Sequence, residues 1–83
     1  MKITTPKTLA VAIRDKRKEM KFTQKNAAEL VGMKQSTVSA FENDPERSKI
    51  ETLFKLLSAL ELQLVITERN PDKGTNNGWT EEW

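Results

Sequence analysis

The chain has 83 residues, enough for one small domain and too few for two, since folded domains seldom fall below about 50 residues. It contains neither Cys nor His, which removes disulfides, thiolate nucleophiles, imidazole bases and the usual zinc sites together and sets aside most enzyme classes. The formal charge of +2 hides an asymmetry: residues 1–43 carry +5 and residues 44–83 carry −3, so the basic half suits a polyanion, or else is simply a solvated face.

With 36% hydrophobic and 31% charged residues the chain supports only a marginal core, which makes a dimer or other partner interface plausible. No apolar run approaches the ~18–20 residues of a membrane span. The opening Met1-Lys2-Ile3-Thr4-Thr5-Pro6 lacks the apolar stretch of a signal peptide. A cytoplasmic location is expected.

Thr5-Pro6 supplies a cap followed by proline at the first helical position, and Leu9, Ala12, Ile13 and Met20 recur at helical spacing to about Lys21. Thr23 is a good cap for a second helix, Gln24 to Val31, with Ala27, Ala28 and Val31 inward and Gly32 ending it in the left-handed conformation. A third helix is expected from Lys34 to Asn43 with Val38 and Phe41 inward, stopped by Asn43-Asp44-Pro45. Ser48 caps a fourth, Lys49 to about Glu61, bearing Ile50, Leu53, Phe54, Leu56, Leu57 and Leu60. So many apolar residues imply burial nearly all round, or burial on one side and an interface on the other.

Residues 62–67, Leu-Gln-Leu-Val-Ile-Thr, change to a period of two with β-branched residues and read as a strand. A lone strand needs a partner. The same strand of a second copy is the simplest, placing Leu62, Leu64, Val65 and Ile66 in a dimer interface. The extended Lys2-Ile3-Thr4 is another candidate, and a fifth helix is the alternative to a strand. Residues 70–83 contain no aliphatic residue, and both tryptophans, Trp79 and Trp83, fall there. The expected organisation is a domain over 1–69 and a flexible tail over 70–83.

A short capped helix with two adjacent alanines, a glycine turn and a polar helix meets the needs of a helix-turn-helix, in which the second helix packs closely on the third and the third enters the major groove N-terminal end first. Lys34, Gln35 and Ser36 occupy that end. Gln pairs bidentately with adenine, Lys donates to guanine, and Ser serves either. Thr23 and Gln24, at the start of the second helix, lie where a phosphate can be held. The plainer reading is a four-helix domain with a polar surface helix.

The run from Thr23 to Asn43, TQKNAAELVGMKQSTVSAFEN, resembles the Cro/C1 (Xre-type) helix-turn-helix family. Within it, Gly32-Met-Lys34-Gln35-Ser36-Thr37-Val38-Ser39-Ala-Phe41-Glu42-Asn43, the segment after helix 4 and the terminal Glu-Glu-Trp are similar to HipB-type antitoxins. The resemblance implies an all-α, lambda-repressor-like bundle of four helices with a C-terminal β-strand pairing across a homodimer. It implies double-stranded operator DNA as partner, read by Lys34, Gln35 and Ser36, with Thr23, Gln24, Thr37, Ser39 and Asn43 on the DNA backbone. It further implies a structural pair between Glu42 and Arg17, a HipA-like Ser/Thr kinase toxin as second partner with Trp83 as its anchor, and no cofactor, metal, membrane or small-molecule ligand. Leu30 departs from the pattern, standing where a polar residue is usual, and Trp79 has no counterpart. Two rivals are a stand-alone phage-type repressor without a toxin, and an interaction module that no longer reads DNA. For an enzyme there is no recognisable constellation.

Overall fold

A computed structural model of the chain describes residues 2–69. Four α-helices and one 3-10 turn follow each other as α1 (Pro6–Glu19), α2 (Gln24–Leu30), α3 (Gln35–Asn43), the turn Pro45–Arg47, and α4 (Ile50–Ala59). α1 starts where Thr5 and Pro6 dictate: the Thr5 hydroxyl accepts the Thr8 amide at 3.1 Å, and Pro6 lacks the amide that would otherwise be orphaned. The core lies where the four helices converge, on Ala10, Ile13, Ala28, Val38, Phe41, Leu56, Leu57 and Leu60. Each of the four helices contributes to it.

α1, α2 and α4 leave by the same corner. After α1 the Phe22 amide donates to the Arg17 carbonyl (3.0 Å) and Lys21 to Lys18 (2.9 Å); after α2, Met33 donates to Ala28 (2.9 Å) and Gly32 to Glu29 (3.5 Å); after α4, Leu62 donates to Leu57 (2.8 Å) and Glu61 to Ser58 (3.1 Å). This is the Schellman closure, with Lys21, Gly32 and Glu61 at φ values of 63°, 68° and 58°. The residue after each left-handed position, Phe22, Met33 or Leu62, packs against the core.

These corners shorten the expected helices. α1 ends at Glu19 rather than near Lys21, α2 at Leu30 rather than Val31, and α4 at Ala59 rather than near Glu61. Lys34 is the cap of α3 rather than its first residue. The expected cap of α4 is also corrected: Lys49 holds that place with no side-chain bond, while Ser48 closes the 3-10 turn by donating its amide to Pro45 (3.1 Å). Pro45 both stops α3 and starts that turn, so the stop signal in Asn43-Asp44-Pro45 doubles as an element of its own.

α4 is buried on one side only. Leu56, Leu57 and Leu60 are in the core, whereas Ile50 is 72% and Phe54 51% exposed. Beyond Glu61 the described chain, 62–69, forms no helix, and no paired strand occurs among the described residues. Leu62 packs on the core, and Leu64, Val65 and Ile66 are exposed. The fold is therefore all-helical over 2–69. Trp79, Trp83 and the remainder of the expected tail lie outside the described residues.

Candidate nucleic-acid interface

The turn between α2 and α3 depends on three small residues. Ala27 and Ala28 are 0% and 1% exposed, so α3 can settle directly on α2 with no side chain between them. Gly32 then reverses the chain, and α3 begins three residues later, at Gln35. Lys34, Gln35 and Ser36 all stand exposed at the start of α3, whose Val38 and Phe41 are buried, while Thr37 and Ser39 are half-buried. Lys34 forms no ion pair among the described residues.

At the start of α2 the Thr23 hydroxyl accepts the Asn26 amide (2.9 Å) and the Asn26 side chain accepts the Thr23 amide (3.1 Å), a reciprocal capping box. The Thr23 hydroxyl keeps its own proton for a further acceptor. Asn26 was legible in the sequence only as the residue three after a threonine, a spacing that usually carries Glu or Gln.

The two regions are joined by side chains. The Gln35 Nε2 donates to Gln24 Oε1 at 2.7 Å, and the Gln24 Nε2 donates to Glu42 Oε1 at 2.9 Å. Glu42 is held from below by Arg17, whose Nε reaches Oε2 at 2.7 Å and Nη2 reaches Oε1 at 3.1 Å. The third limb of the guanidinium, Nη1, donates to the Phe22 carbonyl at 2.9 Å. The side chains of Arg17 and Glu42 are 9% and 3% exposed. Arg17 thus ties the end of α1, the turn into α2 and the C-terminal half of α3 together, and the Glu42–Arg17 pair implied by the sequence resemblance is present. The connection from it to Gln24 and Gln35 has no signal in the sequence.

Ser39 and Asn43 are linked within α3, the Asn43 Nδ2 donating to the Ser39 carbonyl (2.9 Å) and standing 3.2 Å from its hydroxyl. Asn43 lies about two and a half turns from Lys34, at the far end of the helix. Leu30 is 58% exposed on the outside of α2. Among the described residues no cluster of acidic side chains could hold a metal, and no helix is long and apolar enough to cross a membrane.

Known proteins share this arrangement. The helix-turn-helix family matches residues 13–66. The antitoxin HipB of Escherichia coli K12 is 35% identical over 83 residues, covering 99% of this chain and 94% of that protein; the antitoxin HipB of Escherichia coli O6:H1 is 39% identical over 67 residues, covering 81% and 71%. Among solved structures, HipB chains in a HipA-HipB-O2-O3 complex and in a complex with the O4 20mer superpose with a TM-score of 0.81 at 38% identity, covering 83% of this chain and 97% of theirs. The chain belongs to the helix-turn-helix family and, within it, to the HipB antitoxins.

Proposed function

We infer that the chain is an antitoxin and DNA-binding repressor that binds palindromic operators of its own operon and neutralises a HipA-like Ser/Thr kinase toxin. The observation that carries the DNA half is the exposed row Lys34, Gln35 and Ser36 at the start of a helix set directly on Ala27 and Ala28. That is the placement major-groove reading requires. The toxin half rests on the HipB relatives and on the HipA-HipB complex, which favour an antitoxin over a stand-alone phage-type repressor. Such a protein works without catalysis, in the cytoplasm where its operator is.

In this reading Lys34, Gln35 and Ser36 contact base edges. The free proton of the Thr23 hydroxyl, the second N–H of Gln24 and the hydroxyls of Thr37 and Ser39 serve the phosphates, and Asn43 joins them once its bond to Ser39 opens. Two copies pair through the segment carrying Leu62, Leu64, Val65 and Ile66, with Leu64 to Ile66 supplying the exposed apolar surface. One copy then reads each half-site. Residues 70–83 reach the toxin, with Trp83 as an aromatic anchor of the kind that dominates many interfaces.

Two measurements test this. Replacing Lys34 or Gln35 with Ala weakens operator binding by about 1–3 kcal/mol per base contact and relaxes the sequence preference; an unchanged preference refutes the assignment of base reading. Deleting residues 70–83 weakens capture of the kinase encoded beside the gene and leaves operator affinity nearly intact. If capture is unaffected, the anchor is elsewhere.

A further inference from the structure

Four side chains run from the buried centre of the molecule to the exposed start of α3: Arg17, Glu42, Gln24 and Gln35. Their order fixes which way round each amide stands. Glu42 is bound to Arg17 through both oxygens, and a carboxylate can only accept hydrogen bonds. The end of the Gln24 amide that lies 2.9 Å from it is therefore the NH2 group, and the Gln24 carbonyl faces α3. That carbonyl stands 2.7 Å from the Gln35 amide, so Gln35 also presents its NH2 group inward. One Gln35 N–H is used there. What remains for an outside partner is one N–H donor and one carbonyl acceptor.

We propose that Glu42, acting through Gln24, sets the polarity of the Gln35 amide and thereby makes position 35 a reader of adenine and a rejecter of guanine. This rests on Gln35 contacting a base, as argued above. Adenine offers one acceptor, N7, beside one donor, the N6 amino group, whereas guanine offers two acceptors, N7 and O6. An amide with one donor and one acceptor free matches adenine and sets carbonyl against carbonyl at guanine. A glutamine without neighbours rotates its amide at little cost and discriminates less. Glu42 and Gln24 are positioning residues in this scheme: the choice of base is made at Gln35, but its sign is set by a carboxylate two hydrogen bonds away.

The test uses the full-length protein and a randomised duplex library. The site selected by the unaltered chain is then varied one base pair at a time, with folding of each variant checked by circular dichroism. Gln35→Ala abolishes an adenine preference at one position per half-site. Gln24→Leu leaves the Arg17–Glu42 pair in place, and the adenine-over-guanine ratio at that position falls from about tenfold or more to below about threefold. Glu42→Gln directs an NH2 group at Gln24, inverts both amides in turn and raises binding to guanine. Glu42→Gln combined with Gln24→Glu puts a carboxylate at position 24, which accepts from both neighbours and restores adenine.

A Gln24→Leu protein with the original ratio overturns the proposal, whether or not Glu42→Gln folds. If Gln35→Ala leaves the ratio unchanged, the base contact itself is wrong, and the relay falls with it. A purely structural role for Glu42 lowers affinity for all sequences alike and moves no ratio.

Discussion

A single arginine accounts for much of the local order. Arg17 uses three of its five N–H donors on groups from two other parts of the chain, Glu42 and the Phe22 carbonyl, and its backbone carbonyl also closes the corner after α1. Burying two charges costs several kcal/mol, which their attraction offsets only when geometry and satisfaction are good. The distances of 2.7 and 3.1 Å meet that condition. Removing either partner strands the other, so Glu42→Ala or Arg17→Met alone lowers stability by about 3–5 kcal/mol. Replacing both with apolar residues of matching volume recovers most of that loss, as urea unfolding will measure; two losses that simply add contradict the account. The exposed pairs Lys16–Glu19 and Glu51–Lys55 contribute only about 0.3–0.5 kcal/mol each. The Arg17–Glu42 pair was legible by likeness to a family. The amide row above it was not, because two glutamines eleven residues apart announce nothing until α2 and α3 are docked.

At the level of helices the corners decide the architecture. Gly32 adopts φ 68° without strain, whereas Lys21 at 63° and Glu61 at 58° carry the same conformation with a Cβ, which costs roughly 1–2 kcal/mol. A Cβ added at Gly32 would meet nothing within 4 Å, so Gly32→Ala destabilises through backbone conformation alone, by about 1 kcal/mol. Glu61→Gly goes the other way and raises stability by about 0.5–1 kcal/mol. Thermal unfolding of both variants checks the signs, and a destabilised Glu61→Gly protein contradicts the assignment. This symmetry explains which helix ends could be read. Gly32 advertises its corner; Lys21 and Glu61 are ordinary helix formers, and their corners are imposed by the apolar residue that follows, Phe22 or Leu62, returning to the core. Local propensity there yields to packing. Ser48 misleads for a different reason, since the turn that Pro45 starts takes it as its last position, through its backbone amide, and leaves the cap of α4 to Lys49.

Taken whole, the molecule keeps two kinds of surface apart. The basic half of the sequence bears the helix-turn-helix, and the open apolar side of α4, with Ile50 and Phe54, is followed by the exposed Leu64, Val65 and Ile66. An 83-residue chain that leaves this much apolar area uncovered is suited to a second copy. Replacing Val65 and Ile66 with Lys yields a monomer by sedimentation and weakens binding to a two-half-site operator far more than to a half-site; a dimer that persists refutes pairing through this segment. Operator affinity also falls steeply with salt, since phosphate contacts release counterions, and a flat log–log slope excludes those contacts. The helical core, the polar face and the change of character at residue 62 were all legible from periodicity. Whether that last segment pairs is a matter of a second chain, which no pattern within one chain decides.

The corners also bear on time. Each is closed by hydrogen bonds spanning five residues or fewer, so much of the bonding is local in sequence, and helical folds of this type reach the folded state in microseconds to milliseconds. Pairing of two copies is a bimolecular event and much slower at low concentration. Recovery of operator binding after dilution from denaturant is then second order in protein, and its half-time doubles when the protein concentration is halved, long after the helices have returned.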